Sequence, residues 1–149
     1  MQPKYIDIHS HLNFKAFDDD RDKVIKRAFD NNTWIINVGT QIDTSKQAVE
    51  LAHKYKEGIY AIIGLHPIHT KASFHDKQEL GEDVEEFASR GEIFDKNIYK
   101  ELAKDSKVVA IGECGLDYYH LDAISIEKQK EAFIKQIELS LKLKLPLQI

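Results

Sequence analysis

The sequence predicts an α/β fold of parallel strands alternating with helices, corresponding to about the first half of a (β/α)8 barrel of the TIM type. Short β-branched apolar segments recur along the 149 residues and are separated by amphipathic segments with helical spacing. This alternation implies parallel βαβ units with right-handed crossovers. An intact barrel of this type has about 250 residues. We therefore expect residues 1–149 to form the N-terminal part of a single, truncated barrel domain, with four βα units and the start of a fifth strand.

The first predicted strand, residues 5–12, combines apolar residues with residue types that bind metals. Side chains alternate along a strand, so one face is predicted to collect three polar groups: Asp7, His9 and His11. Ile6 and Ile8 point the other way and are predicted to be buried beneath helices. Both histidines lie at the carboxyl end of the strand, where parallel α/β folds place their functional sites.

The remaining elements follow in alternation along the chain. Further strands are predicted at residues 33–38, 59–65 and 108–111, and residues 147–149 open a fifth. The first two helices are predicted to start after the acidic residues 18–20 and near Asp43 or Thr44, and the longest helix covers residues 125–143. The segment 68–107 is longer than one crossover needs. We expect it to hold short helices over residues 82–89 and 97–103, near the rim of the site.

The composition limits the classes of protein that the chain can belong to. A single cysteine, Cys114, excludes an intramolecular disulfide and predicts a reducing, cytoplasmic location. No apolar run approaches the roughly 20 residues that span a bilayer, so no membrane association is expected. The formal net charge of -4 argues against binding nucleic acid through a broad basic surface. It leaves open a nuclease whose positive charge comes from bound metal ions.

A glutamate after the fourth predicted strand completes a possible metal site. Glu113 is flanked by Gly112 and Gly115, which permit tight backbone geometry and close approach of other groups. It faces the same end of the sheet as His9 and His11, and this mixed nitrogen and oxygen ligand set suits zinc, manganese or a similar divalent ion. A carboxylate can also bridge two metals. The residues alone leave another interpretation open, in which the histidines are solvated and the glutamate caps a helix or pairs with a lysine.

Three motifs occur in order at the predicted strand ends. They are residues 7–12, Asp-Ile-His-Ser-His-Leu; residues 64–67, Gly-Leu-His-Pro; and residues 112–119, Gly-Glu-Cys-Gly-Leu-Asp-Tyr-Tyr. Together they resemble the TatD family of metal-dependent hydrolases and deoxyribonucleases, within the amidohydrolase-like barrels. The resemblance covers nearly the whole chain but only the N-terminal portion of a family member.

The resemblance implies a role for each residue of the site. It assigns three metal ligands: His9, His11 and Glu113. Glu113 bridges to a second ion and, with His66, is a predicted catalytic residue, His66 contacting a phosphate oxygen of the substrate. Asp7, expected to be buried at the start of the strand, holds a histidine or nearby backbone. Asp117 and Tyr118 shape the mouth of the site.

Other noticeable residues receive weaker predictions. Packing roles are expected for three residues: Trp34, Cys114 and Tyr119. His53 lies on a predicted helix and is expected at the surface or its boundary. Three further histidines could approach a phosphate: His69, His75 and His120.

The activity that the resemblance implies is hydrolysis of DNA phosphodiester bonds by a water activated on two divalent ions, with Zn, Mn or Mg as candidates. RNA and small phosphoesters are alternative substrates. Family members take further ligands from later strands, namely two histidines and an aspartate, so this chain alone is expected to be weakly active or inactive. An amidohydrolase-like enzyme acting on an amide or lactone is an alternative. A noncatalytic fragment that pairs with a complementary half, or self-associates through its open edge, is another.

Overall fold

The computed structural model describes residues 2–75, 87–119 and 123–149, which form alternating strands and helices. The six strands are β1 Tyr5–Ser10, β2 Thr33–Val38, β3 Ile59–Ile63, β4 Ala72–His75, β5 Phe87–Arg90 and β6 Val108–Ile111. The four α-helices are α1 Arg21–Asp30, α2 Ile42–His53, α3 Lys96–Leu102 and α4 Ala123–Leu143. Short 3-10 turns cover Lys15–Phe17 and Pro67–Thr70.

The main sheet has four parallel strands in the order β1-β2-β3-β6. This arrangement confirms the predicted parallel βαβ units, and β2 and β6 have the predicted bounds. β1 and β3 each end two residues earlier than predicted. Leu147 forms an isolated parallel bridge with Ile111, so the chain begins a fifth position beside β6 where a fifth strand was predicted.

One element differs in kind from its prediction. Residues 87–89, the last part of the helix predicted over 82–89, lie in strand β5, which pairs antiparallel with β4. The rest of that predicted helix, residues 82–86, lies outside the described residues. Helical spacing was misleading here because antiparallel pairing with β4, the strand that precedes β5 in the chain, determined the backbone conformation of residues 87–90. The other short helix, α3, is confirmed within one residue of its predicted bounds.

The helices cover one face of the sheet and enclose two apolar clusters. One cluster joins β2 and β3 to α1 and α2 and includes Ile25, Ile35 and Leu51. The other joins β3 and β6 to α3 and α4 and includes Ile63, Tyr99, Ile111 and Leu139, among others. The two clusters fix the strands side by side, so their carboxyl ends stay at one edge of the sheet. Among the described helices, none has the length and apolar character that crossing a membrane requires.

The expected burial of the first strand is wrong. Ile6 and Ile8 are 53% and 60% exposed, and Asp7 is also exposed. β1 is the edge strand and pairs only with β2 in the described sheet, so nothing in that sheet covers its other side. The register with β2 also shifts between Asp7 and Ser10, which interrupts the simple alternation predicted for this segment.

A surface contact fixes the end of α2 against the turn before β6. The Asp105 carboxylate accepts hydrogen bonds from the backbone N–H of Lys107 at 2.9 Å and from His53 Nε2 at 2.8 Å. Partial burial acts to raise the pKa of Asp105, but these two hydrogen bonds, together with the charges of His53 and Lys107, outweigh it and lower the pKa below its ordinary value near 3.8. The exposed His53 therefore has a structural partner, consistent with its predicted surface position.

Because the folded-state pKa of Asp105 is lowered, its contribution to stability is present above pH 4 and is lost as the pH falls through the folded value. We expect Asp105→Asn to lower the free energy of unfolding at pH 7 and to have little effect near pH 3. Urea unfolding at the two pH values measures this difference. His53→Ala leaves the Lys107 hydrogen bond in place and should cost less at pH 7. If Asp105→Asn lowered the free energy of unfolding equally at both pH values, the contribution of the ionised Asp105 carboxylate to stability would be contradicted.

Candidate metal centre

The carboxyl ends of β1, β3 and β6 bring together side chains that are far apart in sequence. β1 supplies His9 within the strand and His11 just after it, while His66 follows β3 and Glu113 follows β6. Parallel strands place their carboxyl ends at the same edge of the sheet, so these four residues meet there.

The ligand atoms of three of these residues converge within 4.8 Å of one another. The Nε2 atoms of His9 and His11 are 3.2 Å apart. Glu113 Oε2 lies 3.3 Å from His9 Nε2 and 4.0 Å from His11 Nε2. All three side chains are partly exposed, so the cluster is open to solvent and to a ligand.

This donor set fits a divalent ion. With zinc–nitrogen bonds of about 2.0–2.1 Å, neighbouring atoms in a tetrahedral shell are about 3.3–3.4 Å apart, close to the two shorter separations in the cluster. Two imidazole nitrogens and a carboxylate oxygen are also the donor types that zinc and manganese accept. The cluster therefore supports the use of a divalent metal.

His11 is oriented by the backbone of β2. Its Nδ1 lies 3.0 Å from the carbonyl oxygen of Val38, which can only accept a hydrogen bond, so Nδ1 carries the proton and Nε2 presents its lone pair to the cluster. Phe14 stacks on the imidazole, with ring centroids 4.7 Å apart. Burial lowers the pKa of His11, and His9 adds to the decrease, against the opposing effects of the Val38 carbonyl and Glu113. The neutral ring that a metal requires is thus favoured.

Asn37, a residue not singled out in the sequence, holds the turn after His11. Its Oδ1 accepts a hydrogen bond from the backbone N–H of Leu12 at 3.0 Å, and the side chain is fully buried. The signal that could have identified it is a lone amide within the apolar strand Thr-Trp-Ile-Ile-Asn-Val. Buried polar side chains persist in such strands mainly where they satisfy backbone groups.

Replacing Asn37 with leucine keeps the side-chain volume but leaves the Leu12 N–H without its partner. We expect Asn37→Leu to destabilise the chain by about 1–3 kcal/mol and to weaken metal binding by about tenfold, because His11 loses its support. Thermal unfolding and metal titration measure the two effects. Asn31→Leu, at an exposed position where the side-chain amide donates to Arg27 O, is the control. Unchanged metal affinity in Asn37→Leu would show that Asn37 supports the fold alone.

His66 stands beside the cluster with a defined orientation. Its Nδ1 accepts a hydrogen bond from the backbone N–H of Ile68 at 3.2 Å, so in the neutral ring the proton is on Nε2. That Nε2 lies 3.7 Å from Glu113 Oε1. The other carboxylate oxygen, Oε2, is the one that lies near His9 and His11. The backbone N–H of His66 donates to Thr40 O, which ties the residue to the end of β2.

The loop that carries Glu113 is held by the C-terminal segment. The backbone N–H of Cys114 and its Sγ both donate to the carbonyl oxygen of Gln148, at 3.3 and 3.4 Å. The predicted packing role of Cys114 agrees with its burial, which, together with nearby Glu113, raises the pKa of the thiol to about 12. Gln148 also donates from Nε2 to the carbonyl oxygen of Ile8 at 2.9 Å, connecting this segment to β1.

The outer part of the same motif turns toward solvent. Asp117 Oδ1 accepts a hydrogen bond from the backbone N–H of Tyr119 at 2.8 Å. Tyr118 is exposed, as a residue at the mouth of a site would be, but its role there and that of Asp117 remain predictions. The packing role predicted for Tyr119 is wrong, because the local turn on Asp117 leaves its side chain 90% exposed. Trp34 does pack, with its ring 5.7 Å from that of Tyr60.

An aspartate and three histidines were also predicted to lie in or near the site. Asp7 is not buried, but its Oδ1 accepts a hydrogen bond from the backbone N–H of His9 at 3.1 Å, a local contact beside a proposed ligand. The ring of His69 lies 6.0 Å from that of His66, at the margin of the site. The predictions for His120 and for the side chain of His75 lie outside the described part of the chain.

A parallel α/β sheet with helices packed on one face and a His–His–Glu cluster at its carboxyl edge is the arrangement of the amidohydrolase-like barrel class. The comparison with family models identifies the family. The model of the TatD related DNase family matches residues 6–149, and the chain belongs to that family.

Individual relatives agree with this assignment. The chain is 38% identical over 142 residues to YabD of Bacillus subtilis (strain 168), named as an uncharacterized metal-dependent hydrolase, covering 95% of this chain and 48% of that protein. It is 33% identical over 141 residues to the 3'-5' ssDNA/RNA exonuclease TatD of Escherichia coli (strain K12), covering 94% of this chain and 46% of the relative.

A solved structure supports the barrel-type fold. The crystal structure of an uncharacterized amidohydrolase from Saccharomyces cerevisiae superposes with a TM-score of 0.67 at 25% identity, over 97% of this chain and 47% of that one. The predicted fold class is therefore confirmed. The chain spans about half the length of the curated relatives that it matches.

Proposed function

We propose that the chain is the N-terminal half of a TatD-type nuclease that hydrolyses phosphodiester bonds in DNA with divalent ions. The convergence of His9, His11 and Glu113 within 4.8 Å at the carboxyl edge of the sheet is the observation that carries this proposal. The names of the TatD relatives, which act on single-stranded DNA and RNA, favour a nucleic acid over other phosphoesters.

When bound, a divalent ion supplies a Lewis acid that lowers the pKa of a coordinated water. His9, His11 and Glu113 would hold the ion, with Glu113 shared between two ions in a complete site. Backbone and side-chain groups of this chain fix the orientation of the two histidines. The Val38 carbonyl directs His11 Nε2 inward, and the Asp7 carboxylate supports the backbone at His9.

His66 is proposed to bind the substrate. The Ile68 N–H occupies Nδ1, so Nε2 is the ring nitrogen that carries a proton, at the margin of the cluster and 3.7 Å from Glu113 Oε1. An N–H donor in this position suits a phosphate oxygen of the scissile group. Asp117 and the exposed Tyr118 are proposed to shape the path by which a strand of nucleic acid enters.

The experiment measures binding and cleavage of a labelled single-stranded DNA oligonucleotide with and without Mn²⁺. We expect Mn²⁺-dependent binding by fluorescence anisotropy that weakens about tenfold in His66→Ala, because one charge-assisted contact is lost. Cleavage by this chain is expected to be slow, since groups from later strands take part in the family site. Binding that ignores Mn²⁺ would oppose the proposal, and so would hydrolysis of a lactone or amide without any action on the oligonucleotide.

Two further proposals concern the association of the chain and its location in the cell. We infer a tendency to self-associate or to bind a complementary half, because Ile6 and Ile8 lie exposed on the edge strand β1. A concentration-dependent oligomer in size-exclusion chromatography is the expected sign of self-association. A cytoplasmic location remains a prediction that rests on the single buried cysteine, Cys114.

A further inference from the structure

Helix α4 buries two glutamines on the face that packs against the sheet. Gln129 and Gln136 are 2% and 0% exposed, and they are seven residues apart, two helical turns on the same side. Ala132 and Leu139 continue this face and are also buried. An amide buried at such a position costs free energy unless it forms hydrogen bonds, so each glutamine needs partners across the interface.

Gln136 forms a two-point clamp on the residue before His66. Its Oε1 accepts a hydrogen bond from the backbone N–H of Leu65 at 2.9 Å, and its Nε2 donates to the carbonyl oxygen of Leu65 at 3.0 Å. β3 ends at Ile63, so the side-chain amide supplies for Leu65 the two hydrogen bonds that a neighbouring strand would have supplied.

Gln129 acts on the other functional loop. Its Oε1 accepts a hydrogen bond from the backbone N–H of Asp117 at 2.8 Å, four residues after Glu113. One rigid helix thus holds the loop that carries His66 at one point and the loop that carries Glu113 at another. Both contacts are to backbone atoms, which fixes the path of each loop whatever its side chains are.

We propose that Gln129 and Gln136, the glutamine pair, are positioning residues that set the place of His66 relative to Glu113. Neither touches the metal or the substrate; they act through the loops that do. This inference rests on the proposed function, because the position of His66 relative to Glu113 matters in a hydrolytic site. Its physical content, local control of two loops by two amides, is independent of any bound ion.

The test uses the metal-free chain and compares Gln136→Leu with the matched variant Gln129→Leu. Backbone amide hydrogen exchange is measured residue by residue by NMR, relative to a strand amide such as that of Ile62. We expect Gln136→Leu to accelerate exchange at Leu65 by about tenfold beyond any change at Ile62, leaving Asp117 unaffected. Gln129→Leu should accelerate exchange at Asp117 and spare Leu65.

A second readout follows His66 itself. Long-range ¹H–¹⁵N spectra at pH 7 should show a shifted His66 ring in Gln136→Leu and an unshifted ring in Gln129→Leu. If Gln136→Leu does not fold, Gln136→Glu serves instead, because the carboxylate still accepts from the Leu65 N–H but no longer donates to its carbonyl oxygen. Gln136→Glu should also accelerate exchange at Leu65 and shift the His66 ring, but by smaller amounts.

Two results would overturn the inference. One is equal acceleration at Leu65, Asp117 and Ile62 in both variants, which would make the glutamines general packing residues. The other is an unchanged His66 ring despite faster exchange at Leu65. Neither depends on metal binding or cleavage, so failure of the proposed nuclease function is recognised separately in the oligonucleotide experiment.

Discussion

His9→Ala/His11→Ala/Glu113→Ala should remain folded and lose the divalent ion that we propose the wild-type chain binds. The three side chains meet at an open edge of the sheet and are partly exposed, so removing them disturbs no apolar cluster. We expect the affinity for Zn²⁺ or Mn²⁺ to fall by about 100-fold or more, because each lost ligand removes a direct bond to the ion.

Elemental analysis after size-exclusion chromatography measures this loss, with one ion per wild-type chain as the expected content. His53→Ala is the matched control, because it removes an imidazole that is bonded to Asp105 away from the cluster. A metal content that survives in the triple variant would place the binding site elsewhere. A folded wild-type chain without metal would mean that ligands from later strands are needed before any ion is held.

The second large effect is expected for Gly64→Ala, which should destabilise the chain by about 3 kcal/mol or more. A Cβ atom at Gly64 would lie 2.5 Å from the carbonyl oxygen of Gly112 and 2.6 Å from Gln136 Oε1. The first of these is a backbone atom of the β6 end, so the clash can be relieved only by moving β3 and β6 apart. The absence of a side chain at Gly64 therefore lets the loops with His66 and Glu113 approach each other.

Gly115→Ala provides the comparison for Gly64→Ala. Gly115 has φ of +149°, and among the described residues a Cβ atom there meets only the Ile149 side chain, at 3.3 Å. Its substitution tests backbone strain with little steric overlap and should cost about 1 kcal/mol. Urea unfolding at neutral pH gives both values. If Gly64→Ala lowers the free energy of unfolding no more than Gly115→Ala does, the ends of β3 and β6 can move apart at little cost in stability.

Most of the sheet was predictable because its strands are buried apolar runs. β2 and β6 were predicted with their observed bounds, since uninterrupted β-branched residues bounded by glycine or polar turns admit few other structures. Residues 87–89 were mispredicted because a short amphipathic pattern is compatible with either a helix or a strand. Pairing with β4 decided between them, and no local signal records that pairing.

The convergence of the candidate ligands was predictable from the sequence, whereas the contacts that hold them in place were not. Metal-binding residue types at the carboxyl ends of two predicted strands indicated His9, His11 and Glu113, and the rule for parallel sheets indicated that they would meet. Asn37 left only the weak signal of a lone amide in an apolar strand, and Gln136 left none, because the role of a buried amide is not evident until its backbone partner is known. The exposure of Ile6 and Ile8 was likewise hidden, since it depends on β1 lying at the edge of the described sheet.

The sequence by itself determined the strands of the parallel sheet, the helices between them and the three candidate metal-binding residues, because each follows from local periodicity and from chemistry carried by single residues. The tertiary structure alone decided the 3.2–4.0 Å separations within the cluster, the tautomer of His11 set by the Val38 carbonyl, and the contacts that hold the loops. These depend on distances between segments remote in sequence. Packing of α2, α3 and α4 on the sheet, rather than any local preference, sets those distances.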